Sequence, residues 1–143
     1  IVATGQIIYK GDLVDARTDG TVIAAAADDG ASVLGVAAEY VDDSASAGGK
    51  IIMIYDQTDI VYEVEVDGGT LAATDVFATA DHVATTGDTT THVSKHELNA
   101  TVGGLQCRIL GLVPDPDNAW GADCNVYVVI NEGLFYPATA SVT

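Results

Sequence analysis

Positive charge is what this chain has least of. Lys and Arg together number 5 against 21 Asp and Glu, giving a formal net charge of -16. Neutralising phosphate takes clustered Lys and Arg, so the balance speaks against a nucleic-acid binder. The same deficit speaks against polybasic attachment to an anionic membrane. Long apolar runs are also missing: no stretch approaches the roughly 20 residues of a spanning helix. Residues 1–9 lack the basic leader and long apolar core of a targeting peptide. Aromatic residues make up only 6% of the chain, with a single Trp. Cysteine is limited to Cys107 and Cys124, too few for a zinc site unaided. They are expected as two buried thiols of a protein made in a reducing compartment, not as a disulfide.

Good helix formers are scarce as well. Asp outnumbers Glu by 16 to 5, and Val plus Ile reach 28 while Leu stops at 8. Asp bonds nearby backbone and favours turns, and branched side chains suit a pleated surface. Fifteen Gly add turn positions, whereas 21 Ala lean towards helix. The hydrophobic share of 48% and mean hydropathy of +0.27 are those of a folded chain. At 143 residues one domain is expected, large enough to fold without a metal or disulfide.

The pattern along the chain predicts an all-β fold: a compact β-sandwich or barrel-like arrangement of short antiparallel strands with long loop excursions. Residues 1–69 read as N-terminal hairpins. Ile7, Ile8 and Tyr9 lead through Lys10-Gly11-Asp12 to Leu13 and Val14. Asp19-Gly20 and Asp28-Asp29-Gly30 are tight turns, and residues 33–38 form a strand whose small residues imply a close backbone approach. Residues 42–49 are a polar loop. Residues 50–55 form a continuous apolar run, as of a strand buried on both faces, and pair in a hairpin with the alternating strand 60–66. Residues 70–104 read as an Ala/Thr-rich excursion, with an exposed tip at 85–91 and one helical turn at 94–98. Residues 105–143 hold the C-terminal core strands and tail: a strand with a glycine kink at 107–113, a rigid turn at 114–118, a buried strand at 125–131, and an apolar tail that Pro137 stops from pairing centrally.

No catalytic constellation emerges. A nucleophile elbow and a phosphate-cradling loop are both missing, and Gly48-Gly49-Lys50 leads into a strand and not a helix. His92 and His96 stand four apart with His82 nearby. They would hold a metal only with a third ligand, and solvated loop histidines are the simpler expectation. Asp115, Asp117, Asn118 and Asp123 offer oxygens to Ca²⁺, but Pro114, Pro116 and the lack of a bidentate Glu favour a rigid turn. Trp120 is either an exposed contact residue or a lid on the core. The expectation is a non-enzymatic protein with no cofactor.

The C-terminal third carries a resemblance. Arg108-Ile109-Leu110-Gly111-Leu112-Val113, then Pro116-Asp117-Asn118-Ala119 with Gly121, then Val126, Val128 and Ile130-Asn131-Glu132, is similar to the head decoration, or cement, proteins of tailed bacteriophages. Gly11-Asp12-Leu13-Val14, Leu34-Gly35-Val36-Ala37 and Ala47-Gly48-Gly49-Lys50-Ile51 resemble the β-hairpin barrel common among them. Gly133 stands where compared members carry His soon after the Asn-Glu, so the subgroup is open. The resemblance implies a structural virion protein on the capsid exterior, assembled in the host cytoplasm, that stabilises the shell by bridging major capsid protein subunits. It also implies a homodimer or homotrimer on a symmetry axis. Repulsion between copies points to apolar and backbone contacts, with Ile1, Val2, Ile7, Ile8, Trp120, Leu134, Phe135 and Tyr136 as candidates. The alternative is a carbohydrate-binding or adhesin-type β-module on a virion or cell surface.

Overall fold

Alternation of apolar and polar side chains, broken by Gly and Asp, organises the computed structural model, which describes residues 1–27, 32–45 and 48–135. Eleven strands are present among these residues: β1 Ile7–Ile8, β2 Leu13–Ala16, β3 Val22–Ala24, β4 Val33–Ala37, β5 Val41–Asp42, β6 Ile54–Tyr55, β7 Tyr62–Asp67, β8 Thr79–Val83, β9 Glu97–Val102, β10 Cys107–Leu112 and β11 Asn125–Ile130. The all-β expectation holds. Its barrel-like form is realised by β10, β11, β7, β9 and β8, which close in that order into a five-stranded barrel. A four-stranded sheet, β3-β2-β4-β6, and a two-stranded ribbon, β1-β5, complete the molecule.

The barrel interior is built by period-two burial. Strand β11 buries Val126, Val128 and Ile130, and β10 buries Cys107 and Ile109. On β7, Glu63 and Glu65 face water while Val66 is fully buried, the wet and dry faces its sequence predicts. The ladder slips between Ile109 and Gly111. The glycine kink of β10 is thus a β-bulge, which bends the strand around the barrel. One pairing departs from the antiparallel expectation, since β7 and β9 run parallel, with Val66 opposite Leu98.

Strands β2 and β4 join the barrel to a second core. Leu13 and Val33 pack with the barrel interior. Val14 and Ala37 pack with Val2, Ile8, Val22, Val41 and Ile52 on the other side. The Asp19-Gly20 turn forms as expected, Asp19 accepting from both the amide and the hydroxyl of Thr21.

Four expectations fail for identifiable reasons. The hairpin over residues 50–66 does not form, because β6 pairs with β4 and β7 pairs with β11. The run at 50–55 is not buried on both faces: Ile52 is buried, while Ile51 and Met53 are 77% and 66% exposed. The segment lies at the edge of its sheet, where a continuous apolar run mimics a central strand. Residues 70–104 are no excursion, since β8 and β9 are barrel staves, with Val83 opposite Glu97. Few large side chains are needed there, because Leu71, Ala80 and Leu98 suffice to fill a narrow interior. No helical turn forms at 94–98; Ser94 Oγ accepts from the His96 amide, and Glu97 enters β9. The turn predicted at Asp28-Asp29-Gly30 and the stop at Pro137 lie outside the described residues.

Gly35 is the tightest backbone contact in the four-stranded sheet. A Cβ there would sit 2.2 Å from the Tyr55 carbonyl oxygen, so β4 and β6 approach only because residue 35 has no side chain. Gly111, at the β10 bulge, has nothing within 4 Å of a built Cβ. Gly35→Ala is expected to cost about 3 kcal/mol in urea unfolding, and Gly111→Ala about 0.5 kcal/mol or less.

Candidate functional site

Two regions stand out, one at a sheet edge and one buried. The first is the free edge of the four-stranded sheet. Strand β6 is its outermost member, and Ile51, Met53 and Tyr55 (77%, 66% and 51% exposed) alternate along one side of the extended segment that contains it. They lead into a groove of about 520 Å³ walled by Val36, Tyr55, Ile60, Tyr62 and Val93, with Lys10 at its margin. The Tyr62 hydroxyl donates to the Tyr55 carbonyl at 3.3 Å, which ties β7 to this edge. Sequence reading placed these residues in a hairpin core and so missed them. The signal available was the absence of charge or Pro inside Ile51-Ile52-Met53-Ile54-Tyr55, protections that exposed edge strands usually carry.

The second region is a buried polar cluster where the barrel meets β2. The Asp12 carboxylate accepts the Tyr9 amide at 2.8 Å and faces His96 Nε2 at 3.5 Å. His96 Nδ1 accepts the Leu13 amide at 3.3 Å, which leaves its proton on Nε2, towards Asp12. The His82 ring lies 4.9 Å from that of His96. Gln106 Oε1 accepts from the His82 amide at 3.0 Å and lies 2.8 Å from its Nδ1. His82 Nε2 is 3.3 Å from the Ala25 carbonyl. These contacts bolt β8, β9 and β10 to β2 and to the segment after β3. A cleft of about 630 Å³ opens beside them, lined among others by Lys10, Tyr62, Lys95 and Glu97.

Two of the histidines differ from solvated loop residues: His82 is buried and His96 nearly so. His92 is an exposed loop residue, as expected, and stacks on Tyr40 with ring centroids 4.0 Å apart. His92 does not join the other two. No group of three or more His, Cys, Asp or Glu converges to hold a metal among the described residues. The Thr-rich segment at 85–91 does connect β8 to β9 but is tied down: Asp88 Oδ1 accepts the Thr90 and Thr91 amides, and Gly87 packs on the Tyr9 ring. Those amides hold the Asp88 carboxyl down to about 2.

The residues that carry the family resemblance are internal clamps. Asn118 Nδ2 donates to the Val113 and Asn125 carbonyls, and its Oδ1 accepts the Asn125 amide. Arg108 donates to Asn131 Oδ1 through Nε and Nη2, and Asn131 Nδ2 donates to the Leu105 carbonyl. Asp115 Oδ1 accepts the Asp117 amide and Asp123 Oδ1 that of Gly68, so both carboxylates serve turns. Trp120 is half-buried against the barrel core, in the manner of a lid.

The candidate contact residues divide. Val2 and Ile8 are fully buried in the second core, and Val2 bridges Val22. They are part of the body and are withdrawn as contacts; residues 1–8 form no free arm. Ile1, Ile7, Leu134 and Phe135 are exposed, and the Leu134 amide donates to the Val33 carbonyl. Tyr136 lies outside the described residues. Cys107 and Cys124 are free and buried, as expected, and burial pushes the Cys107 thiol up to about 12.

No protein-family model, curated protein or solved structure matches this chain. What the geometry defines is a nearly all-β body with an exposed apolar stripe at the β6 edge.

The buried cluster has a pH signature. Burial lowers His96 from 6.5 to about 4, against the opposing pull of Asp12 and with a smaller push from His82. A histidine depressed in the folded state binds fewer protons than in the unfolded chain between those two values. Its stabilisation is complete above pH 6.5 and is lost as pH falls towards 4, by at most about 3 kcal/mol. His96→Asn keeps an acceptor for the Leu13 amide but cannot titrate. Urea unfolding from pH 7 to 4 should show the native protein losing stability relative to this variant; parallel curves would refute the assignment.

Proposed function

We propose that this chain is a non-enzymatic structural protein that docks on the outside of a tailed-bacteriophage capsid and stabilises it by bridging major capsid protein subunits. The observation that carries the reading is an exposed apolar stripe at a sheet edge, Ile51, Met53 and Tyr55, on a chain of net charge -16. A contact protein must present one face that water does not satisfy and keep the rest soluble. The sequence resemblance over residues 105–132 supplies the capsid as partner. The internal clamps at Asn118, Arg108 and Asn131 support it in a second way: they hold a body rigid enough to transmit load between subunits without losing binding energy to ordering.

Many weak contacts per shell give the required avidity. With -16 on each copy, neighbouring copies repel, and salt screens this over about 8 Å at physiological ionic strength. Occupancy should therefore hold or rise as salt is added, the reverse of a contact built on ion pairs. The carbohydrate-binding alternative has less support, because Trp120, the one indole available as a stacking platform, packs against the barrel core.

The test is co-sedimentation with empty tailed-bacteriophage heads. Saturable binding that persists at high salt and raises the shell's melting temperature is expected. Failure to bind, together with a signal on a glycan array, would replace the reading with its alternative.

A further inference from the structure

Strands β7 and β9 close the barrel over a short span. Their parallel ladder holds only at Val66–Leu98 and Asp67–Asn99. Beyond it, the segment that leads into β9 takes another partner: Lys10 donates its amide to the His92 carbonyl, and the Ser94 amide donates to the Lys10 carbonyl. The two walls therefore splay, and the cleft of about 630 Å³ lies in the wedge between them. On its other side β7 bonds to β11 through Val66, whose amide donates to the Cys124 carbonyl, and by alternation through Val64. Glu63 and Glu65 thus direct their backbone groups towards the wedge. Leu98 takes the Glu65 carbonyl, while the Glu63 amide and carbonyl and the Glu65 amide meet no strand.

The wedge has a chemical polarity. Its floor is apolar, formed by Leu13, Val36, Leu98, Val128 and Ile130, and Tyr62 and Val64 pack towards it from β7. Its rim is acidic where the ladder ends. Glu63 and Glu65 are exposed there, and Glu97 lines the facing wall. Burial first, and then Asp67, Glu65 and Asp123, raise the Glu97 carboxyl above its ordinary value, as befits carboxylates gathered without a cation. Lys95, also in the lining, is held by Asp88 at 3.5 Å. The opposite end is closed by the bridge of Lys10 to Val93 and is basic: Lys10 lines the cleft and makes no ion pair among the described residues.

We propose that this wedge binds the C-terminal end of a partner polypeptide as an added strand antiparallel to β7, basic and apolar residues alternating along it and its terminal carboxylate at Lys10. Strand β7 runs from the Lys10 end to the acidic end, so an antiparallel guest finishes at Lys10. The guest residue opposite Glu63 exchanges both backbone hydrogen bonds with it, and the residue opposite Glu65 accepts the Glu65 amide. Residues directly opposite share a face. These two guest side chains therefore point outward, each to a carboxylate, and the alternate two, level with Tyr62 and Val64, enter the apolar floor. The wedge has room for about four residues at ~3.3 Å each. Its closed end stops a strand from running through, which is why a terminus fits. A second copy of this chain is a poor guest, because none of the described strands alternates basic and apolar residues and a net charge of -16 repels it. The inference goes beyond the capsid role and does not rest on it.

Isothermal titration of the intact chain with the N-acetylated peptide Arg-Val-Arg-Leu, its C-terminus free, should show a single site. Amidating that terminus should weaken binding about fivefold. Lys10→Gln should weaken the acid by the same factor and leave the amide unchanged. Glu65→Gln should weaken Arg-Val-Arg-Leu about threefold and leave Ala-Val-Arg-Leu unchanged. Methylating the backbone nitrogen of the second Arg, which faces the Glu63 carbonyl, should cost about tenfold. Hydrogen exchange at the Glu63 and Glu65 amides should slow when the peptide is bound. Lys10 and Glu65 are exposed, so neither variant should alter the circular dichroism. No binding, equal binding of acid and amide, or unchanged exchange at Glu63 and Glu65 would overturn the proposal. Equal binding of Glu-Val-Glu-Leu would overturn it too, by reducing the cleft to unspecific apolar contact. Self-association of the chain that excludes the peptide would do the same, by giving the wedge to a second copy.

Discussion

Strands β2 and β4 send neighbouring side chains to opposite sides, and the rest of the molecule depends on that division. Leu13 and Val33 close one side of the barrel core, and Val14 and Ala37 floor the second core. A sheet with both faces buried cannot slide by one residue without turning every apolar group the wrong way. The Asp12–His96 contact sits beside Leu13 at the same junction. It supplies direction that the non-directional hydrophobic contacts cannot. Because the wall is pinned on both sides, its outermost strand β6 is held in place by β4 and by the Tyr62 hydroxyl on the Tyr55 carbonyl.

Much of this was legible from residue types. Branched residues and Asp-Gly turns announced a β protein, Gly35 its close approach, Gly111 its bulge and Glu63/Glu65 a wet face. What stayed hidden was which strands are neighbours. Sequence adjacency favoured a hairpin between β6 and β7, yet both found partners elsewhere, because pairing is decided by burial across the whole chain and not by the turn between them. The barrel staves β8 and β9 were concealed by small residues: Ala80 and Thr79 bury completely without looking apolar enough to do so. The histidines illustrate the same limit. His92 and His96 are close in sequence, but it is His82 and His96 that meet, since they lie on paired strands or beside them.

The distribution of function differs from that of the recognisable motifs. Asn118, Arg108 and Asn131 look like site residues because they are polar and distinctive, and each is consumed by backbone clamps. The unpaired edge looks like core because it is apolar. In this fold the distinctive polar groups build the scaffold, and the plain apolar segment is left exposed at the sheet edge.

The parallel pairing of β7 with β9 has a consequence for synthesis. Strand β7 ends at Asp67, but its antiparallel neighbour β11 runs only to Ile130. At ordinary elongation rates a ribosome needs about 3 to 12 seconds to travel between them. Until residues 97–102 emerge β7 lacks β9 as well, and from then until β11 is made it has a partner on one side only. Most of the acidic residues already made travel with it, so emerging chains push one another away until the last stave arrives. An excess of carboxylates is thus a property of the chain before it folds as much as after, opposing contact between half-made copies.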